Sequence, residues 1–286
     1  MKIAAVADKV GRVQHTRMLL LKSILSKDID MDVFTPEDKI DFSKYDLAYY
    51  THFGIHKKKP TKIRKYASVT SHKCLNQKRS TLKELSQFDS VSVNNSTLYG
   101  EFKGKVKSLF LTENGVDTKF FSFNLKPLGD PPVFGWVGNR DRETKNYDKI
   151  VVPLKKHITI KDISPSKKDK SRDLLSAKEM RDFYHSIDFF LVTSGTEGTP
   201  NPALEAMSCG VPCITTRVGN MIDIVEESYN GLFVDIDLDS FIETTKIASH
   251  MSWGVYEDMR EAAREKIEKE WDWNYVSQRW RNFLTQ

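Results

Sequence analysis

Little cysteine, no long apolar run and no internal repeat mark this sequence, and each lack narrows what it can be. Cys74, Cys209 and Cys213 are the three cysteines in 286 residues, an odd number without metal-ligand spacing. That argues against a disulfide framework, so reduced thiols in a cytoplasmic setting are expected. No apolar stretch approaches the roughly 20 residues of a membrane-spanning helix, so no transmembrane segment is expected. The opening MKIAAVADKVGR has too short an apolar region for a signal peptide and reads as a first strand. There is no low-complexity tract. What is present suffices for sizeable cores: 39% hydrophobic residues and five tryptophans, in one large domain or two of about 120–150 residues.

Charge is unevenly spread. Residues 1–124 hold 22 Lys+Arg against 13 Asp+Glu, net +9, and residues 125–286 hold 22 against 26, net −4. The densest basic run is HKKKPTKIRK at 56–65, with Lys57, Lys58, Lys59 and Lys62. Such a run is usually a solvated loop, and it can also serve as a contact for an anionic partner.

The most organised stretch is 187–223, IDFFLVTSGTEGTPNPALEAMSCGVPCITTRVGNMID. Its apolar run at 189–192 fits a buried parallel strand. A Ser/Gly/Thr loop with Gly198 and Thr199 follows, then Asn201 as a helix cap with Pro202 at the first helical position. Ala203, Leu204 and Met207 form the inward stripe, Gly210 supplies a left-handed stop and Pro212 opens the next strand. Glu197 in the loop and Glu205 in the helix, eight positions apart, bracket one helix N-terminus, a natural seat for phosphate. A Glu early in a helix also simply complements the dipole.

Other short apolar runs predict strands at 2–7, 32–35, 46–51, 66–71, 89–94, 108–111, 133–137, 157–162 and 232–235. Helices are expected at 16–27, 176–186 and 257–270, and a polar, basic loop at 165–172. Asp235-x-Asp237 could pass for a metal motif but ends a strand and begins a helix, where Asp is a routine cap. Trp271, Trp273, Val276, Trp280 and Phe283 give a helical packing stripe.

The run EGTPNPALEAMSCGVPCITTRVGN resembles the signature of retaining glycosyltransferases of family 4, whose glutamates follow an E-x7-E pattern. The similarity continues through NGLFV at 230–234. It implies the α/β GT-B fold, two doubly wound Rossmann-like domains facing across a cleft. The domains would be 1–121 on the acceptor side, a linker at 122–132, a nucleotide-sugar domain at 133–270 and a C-terminal helix at 271–286 returning to the first domain. The NGVD at 114–117 resembles the family's segment closing the first domain.

Site residues follow from the same resemblance. Glu197 would face the donor sugar and Glu205 the ribose, with Gly198, Thr199 and Asn201 in the donor loop. Gly138 follows a strand, and Arg140 and Lys145 would meet the diphosphate, Arg142 competing for the part. His72 ends a strand where the family places a His facing the donor sugar, and His52 ends a similar strand. Where the family usually shows Pro-Glu after Gly219, this chain has Ile222-Asp223.

The implied activity is transfer of a sugar from a nucleotide-sugar donor to an acceptor hydroxyl with retention, needing neither cofactor nor metal. The basic first half suggests an anionic acceptor: DNA carrying modified bases, or a lipid or surface glycan. Acceptor-side candidates are Lys57, Lys58, Lys59, Lys62 and His52. Rival readings are a nucleotide-sugar epimerase of the same fold, a non-enzymatic sugar-nucleotide-binding protein, and a pyridoxal phosphorylase, for which no motif is present.

Overall fold

The computed structural model describes residues 1–165 and 175–286, and the basic loop expected at 165–172 lies, from 166 on, outside the described residues. In chain order come β1 (Lys2–Val6), α1 (Val13–Ile24), β2 (Asp30–Phe34), β3 (Leu47–Tyr50), β4 (Lys65–Val69), α2 (Lys78–Leu85), β5 (Ser90–Val93), α3 (Ser96–Phe102) and β6 (Leu109–Leu111). Next are β7 (Val133–Val137), α4 (Val152–Leu154), β8 (Thr159–Ile163), α5 (Ala177–His185), β9 (Phe189–Val192), α6 (Asn201–Ser208) and β10 (Cys213–Thr215). Last are α7 (Met221–Ile224), β11 (Gly231–Phe233), α8 (Leu238–Ser249), α9 (Trp253–Glu270) and α10 (Trp273–Thr285). The chain divides into two compact units, Met1–Glu113 with Asn274–Gln286, and Asn114–Trp273.

Among the described residues the first unit is built on a parallel sheet ordered β2-β1-β3-β4-β5-β6. Its inner strands are short and buried along their length, as a sheet covered on both faces requires. Helix α1 starts at Val13 rather than 16; it buries Met18 and Leu21 but leaves Leu19 and Leu20 exposed. Helix α10 lays Trp280 and Phe283, both fully buried, edge-on against Tyr49 at 6.0 and 5.8 Å. Trp280 Nε1 donates to the Glu113 carbonyl at 2.9 Å, and Arg279 pairs with the Glu113 carboxylate. Burial of each such ring is worth about 2–3 kcal/mol, so the tryptophan stripe is packing.

In the second unit, among the described residues, the parallel sheet runs β11-β10-β9-β7-β8. The division between units falls after Glu113, not 121. Segment 114–121 is tied down within the second unit: the Val116 N–H donates to the Trp271 carbonyl at 2.9 Å and Thr118 Oγ1 to Asp272 Oδ2 at 2.6 Å. The stretch expected as a linker is also held. Buried Arg260 donates to the carbonyls of Gly210, Lys126 and Asn124. Gly210 adopts φ +75°, and a Cβ there would stand 2.3 Å from the Phe123 ring, so only glycine fits.

Each sheet has one place where strand order reverses. The chain leaves β1 for β2 on one side and β3 lies on the other; β7 is likewise flanked by β8 and β9. Open α/β sheets bind ligands outside the carboxyl ends of strands at such a point.

Candidate active site

The reversal point of the second sheet is formed by the loops after β7 and β9, and hydrogen bonds knit them together. Trp136 Nε1 donates to Thr193 Oγ1 at 3.0 Å, and that hydroxyl donates to the Lys145 carbonyl at 2.6 Å. Asn146, at φ 51°, donates from Nδ2 to the Thr193 carbonyl at 2.8 Å, and the Gly195 N–H donates to the Thr144 carbonyl at 2.8 Å. Gly138 makes room beneath: a Cβ there would lie 2.8 Å from the Trp136 indole and 3.4 Å from Lys145 Cδ.

This frame carries Lys145 across to Glu197. Lys145 Nζ is 2.7 Å from Glu197 Oε1, with the side chains only 12% and 10% exposed. Ser194 Oγ donates to the same oxygen at 2.9 Å. A pair this buried has lost most of its hydration, so removing one partner strands the other's charge. Of the three cations in the β7 loop, Lys145 is therefore the one set against Glu197. Arg140 has no hydrogen-bond or ion-pair partner among the described residues and lines a groove of about 830 Å³ with Arg142, Asn146 and Tyr147.

A third loop seats the glutamate's neighbours. Thr216 Oγ1 donates to the Ser194 carbonyl at 2.6 Å and the Asn220 N–H to the Gly198 carbonyl at 3.2 Å. Gly219, at φ +54°, passes so close that a Cβ would sit 2.4 Å from the Gly198 oxygen. Gly198 and Thr199 then lead into α6. Here one expectation fails: Pro200, not Asn201, is the cap, and Asn201 is the first helical residue. A local turn and a remote contact together set this register. Pro200 at φ −77° turns the chain into the helix one residue early, and Asn201 Oδ1 is taken by Asn114 Nδ2 at 2.8 Å. No side chain caps the helix; the Asn201 N–H donates to the Thr199 carbonyl at 3.1 Å and the Ala203 N–H to the Pro200 carbonyl at 2.8 Å, so the helix dipole rather than a row of free amides is what favours an anion there.

Glu205 lies further along α6. Its Oε2 accepts from Tyr184 Oη at 2.7 Å, and burial pushes its carboxyl up to about 7, against the pull of that hydrogen bond. Tyr184 itself is fully buried. Asp237 caps α8, accepting from the Ser240 N–H at 2.8 Å.

The first unit holds the other candidates. His72 Nε2 meets Asn95 Oδ1 at 3.1 Å just past the end of β4. His52 Nδ1 accepts from the Gly54 N–H at 3.0 Å, and its ring stacks on Phe53 at 4.4 Å. Those contacts use His52 locally, and desolvation of the ring lowers its pKa. Part of the basic run folds into the 3-10 turn Phe53–Lys57; Lys57 pairs with Glu84 while Lys58 and Lys62 stay exposed and Lys59 is half-buried. No helix among the described residues is long and apolar enough to cross a membrane.

Residues 136–248, which contain all the donor-side candidates, match the family model described as glycosyl transferases group 1. An uncharacterised glycosyltransferase of Methanocaldococcus jannaschii is 29% identical over 189 residues, covering 60% of this chain and 47% of that protein. The sulfoquinovosyl transferase of Arabidopsis thaliana is 32% identical over 112 residues, 38% of this chain and 22% of its own. The chain thus spans less than half the length of these relatives. A solved structure of Anabaena HepE in complex with UDP and glucose is similar with a TM-score of 0.78 at 14% identity, covering 100% of this chain and 99% of that one. That likeness shows the fold: two parallel-sheet α/β units of the GT-B glycosyltransferase kind.

Proposed function

We propose that this chain is a retaining, metal-independent glycosyltransferase that moves a sugar from a nucleotide-sugar donor to an acceptor hydroxyl. The observation that carries the reading is the Lys145–Glu197 pair set across the reversal point of the second sheet, inside the segment that matches the glycosyltransferase model. The α6 N-terminus, Arg140 and Lys145 would take the diphosphate, offsetting charge as the bond from the sugar C1 to the phosphate oxygen breaks. A phosphate oxygen arriving at Lys145 replaces Glu197 as its partner and frees the carboxylate for the sugar, where positive charge develops. Glu205 would hold the ribose. Arg140, Lys145 and the α6 dipole would do the work a divalent ion does elsewhere, and Asp237 is occupied as a cap.

The acceptor in this reading is anionic. It would meet the basic first unit, where Lys58, Lys62 and Arg64 are exposed.

Nucleotide-sugar turnover in excess EDTA tests the assignment. Glu197→Gln should lower turnover at least ~100-fold with donor affinity within a few-fold, the scale of losing one preorganised electrostatic group. Full activity in that variant, or abolition by EDTA with rescue by Mn²⁺, would overturn it. Turnover that needs no acceptor would make the protein an epimerase instead.

A further inference from the structure

Glu205 is half-buried on α6, and a free glutamate there could rotate among several rotamers. Tyr184, on α5, prevents this. Its ring is packed by Phe121 at 6.0 Å, Phe183 at 5.6 Å and Phe190 at 6.0 Å, and has no exposed surface. The hydroxyl therefore has one fixed position, from which it donates to Glu205 Oε2 at 2.7 Å. Glu205 Oε1 has no hydrogen-bond partner among the described residues. One oxygen is thus filled from inside the protein and the other is left for a ligand.

We propose that Tyr184 is the positioning residue of the nucleotide site, locking the Glu205 carboxylate so that Oε1 receives the vicinal hydroxyls of a ribose. The proposal rests on the reading of Glu205 as the ribose contact. Immobilising a long side chain on binding costs affinity, and a rigid aromatic neighbour removes that cost beforehand. The hydroxyl also stabilises the ionised carboxylate, the form that accepts from two hydroxyls, where burial alone favours the neutral acid. Tyr184 touches neither sugar nor phosphate in this scheme, so its removal should be felt only through the ribose.

The experiment compares UDP with 2′,3′-dideoxy-UDP, measuring binding by titration calorimetry to the wild type, Tyr184→Phe and Glu205→Gln. The wild type should prefer UDP by about 10-fold or more, as for a charge-assisted hydrogen bond. Tyr184→Phe keeps the ring and should shrink that preference at least about five-fold while dideoxy-UDP binds within two-fold of wild type. Equal weakening of both probes would mark a general structural lesion and overturn the proposal. So would an unchanged preference in Tyr184→Phe when Glu205→Gln abolishes it. If the wild type binds both probes without preference, or Glu205→Gln keeps the preference, the ribose reading of Glu205 fails and the role of Tyr184 falls with it.

Discussion

Glu205→Gln should make the protein more stable at alkaline pH, a consequence of burying a carboxyl group. In the folded chain Glu205 is pushed up to about 7 from its ordinary 4.5, chiefly by burial. Between these two values the native state holds a proton that the unfolded state has lost, so stability falls as pH rises through the window and the full cost stands above pH 7. At 1.36 kcal/mol per pH unit the gap is worth about 3 kcal/mol, and residual solvent contact brings the expected range to about 1.5–3 kcal/mol. Glutamine carries no charge at any pH and can still accept from Tyr184. The thiols and the phenol around Glu205 stay out of this window: burial pushes Cys209 up to about 12 and raises Cys213 and Tyr184 as well. Thermal melts at pH 5 and pH 8.5 read the effect. The variant should gain about 3–12 °C on the wild type between those two conditions, at about 2–4 °C per kcal/mol for a unit of this size. A gap that is the same at both pH values, or that shrinks at pH 8.5, would refute the reasoning.

Two further outcomes follow from the loops. Gly219→Ala places a Cβ 2.4 Å from the Gly198 oxygen at φ +54°, so it should cost at least about 1–2 kcal/mol in chemical denaturation and weaken binding of the proposed nucleotide donor through the Glu197 loop. Replacing Lys57, Lys58, Lys59 and Lys62 with Gln should flatten the dependence of log affinity on log salt for duplex DNA or anionic vesicles, by about 0.9 for each DNA phosphate that is no longer neutralised. Lys57, already paired with Glu84, should contribute least. Absence of binding to either partner at low salt would contradict an anionic acceptor.

The strands were legible because a parallel sheet covered on both faces leaves a mark that needs no context, such as the all-apolar 189–192 of β9. The positive-φ stop at Gly210 was legible for a similar reason. The cap of α6 was not. Pro200-Asn201-Pro202 offers two registers one residue apart, and the choice is made by Asn114, 87 residues away. The same limit applies to the site. Glu197 and Glu205 stood out by spacing, but what ranks Lys145 above Arg140 and Arg142 is the Thr193 hydroxyl holding the Lys145 carbonyl, a contact between segments 48 residues apart. The roles of Trp136, Thr193 and Tyr184 at the site went unnoticed: each acts through a contact with a residue remote in sequence, and a lone aromatic or threonine near a strand carries no local signal of it. The division after Glu113 was hidden likewise, since what draws 114–121 into the second unit is its pairing with 271–272.

In the proposed function the reversal point of the second sheet holds a nucleoside diphosphate by the protein's own positive groups, without a metal. Arg140 tests it most directly, because with no partner among the described residues its loss should leave the fold intact. Titration calorimetry with UDP, ADP and GDP in excess EDTA should show at least one binding to the wild type, and Arg140→Met should weaken that ligand about 10-fold or more with an unchanged melting temperature. No binding of any of the three to the folded wild type, or equal affinity in Arg140→Met, would contradict the account.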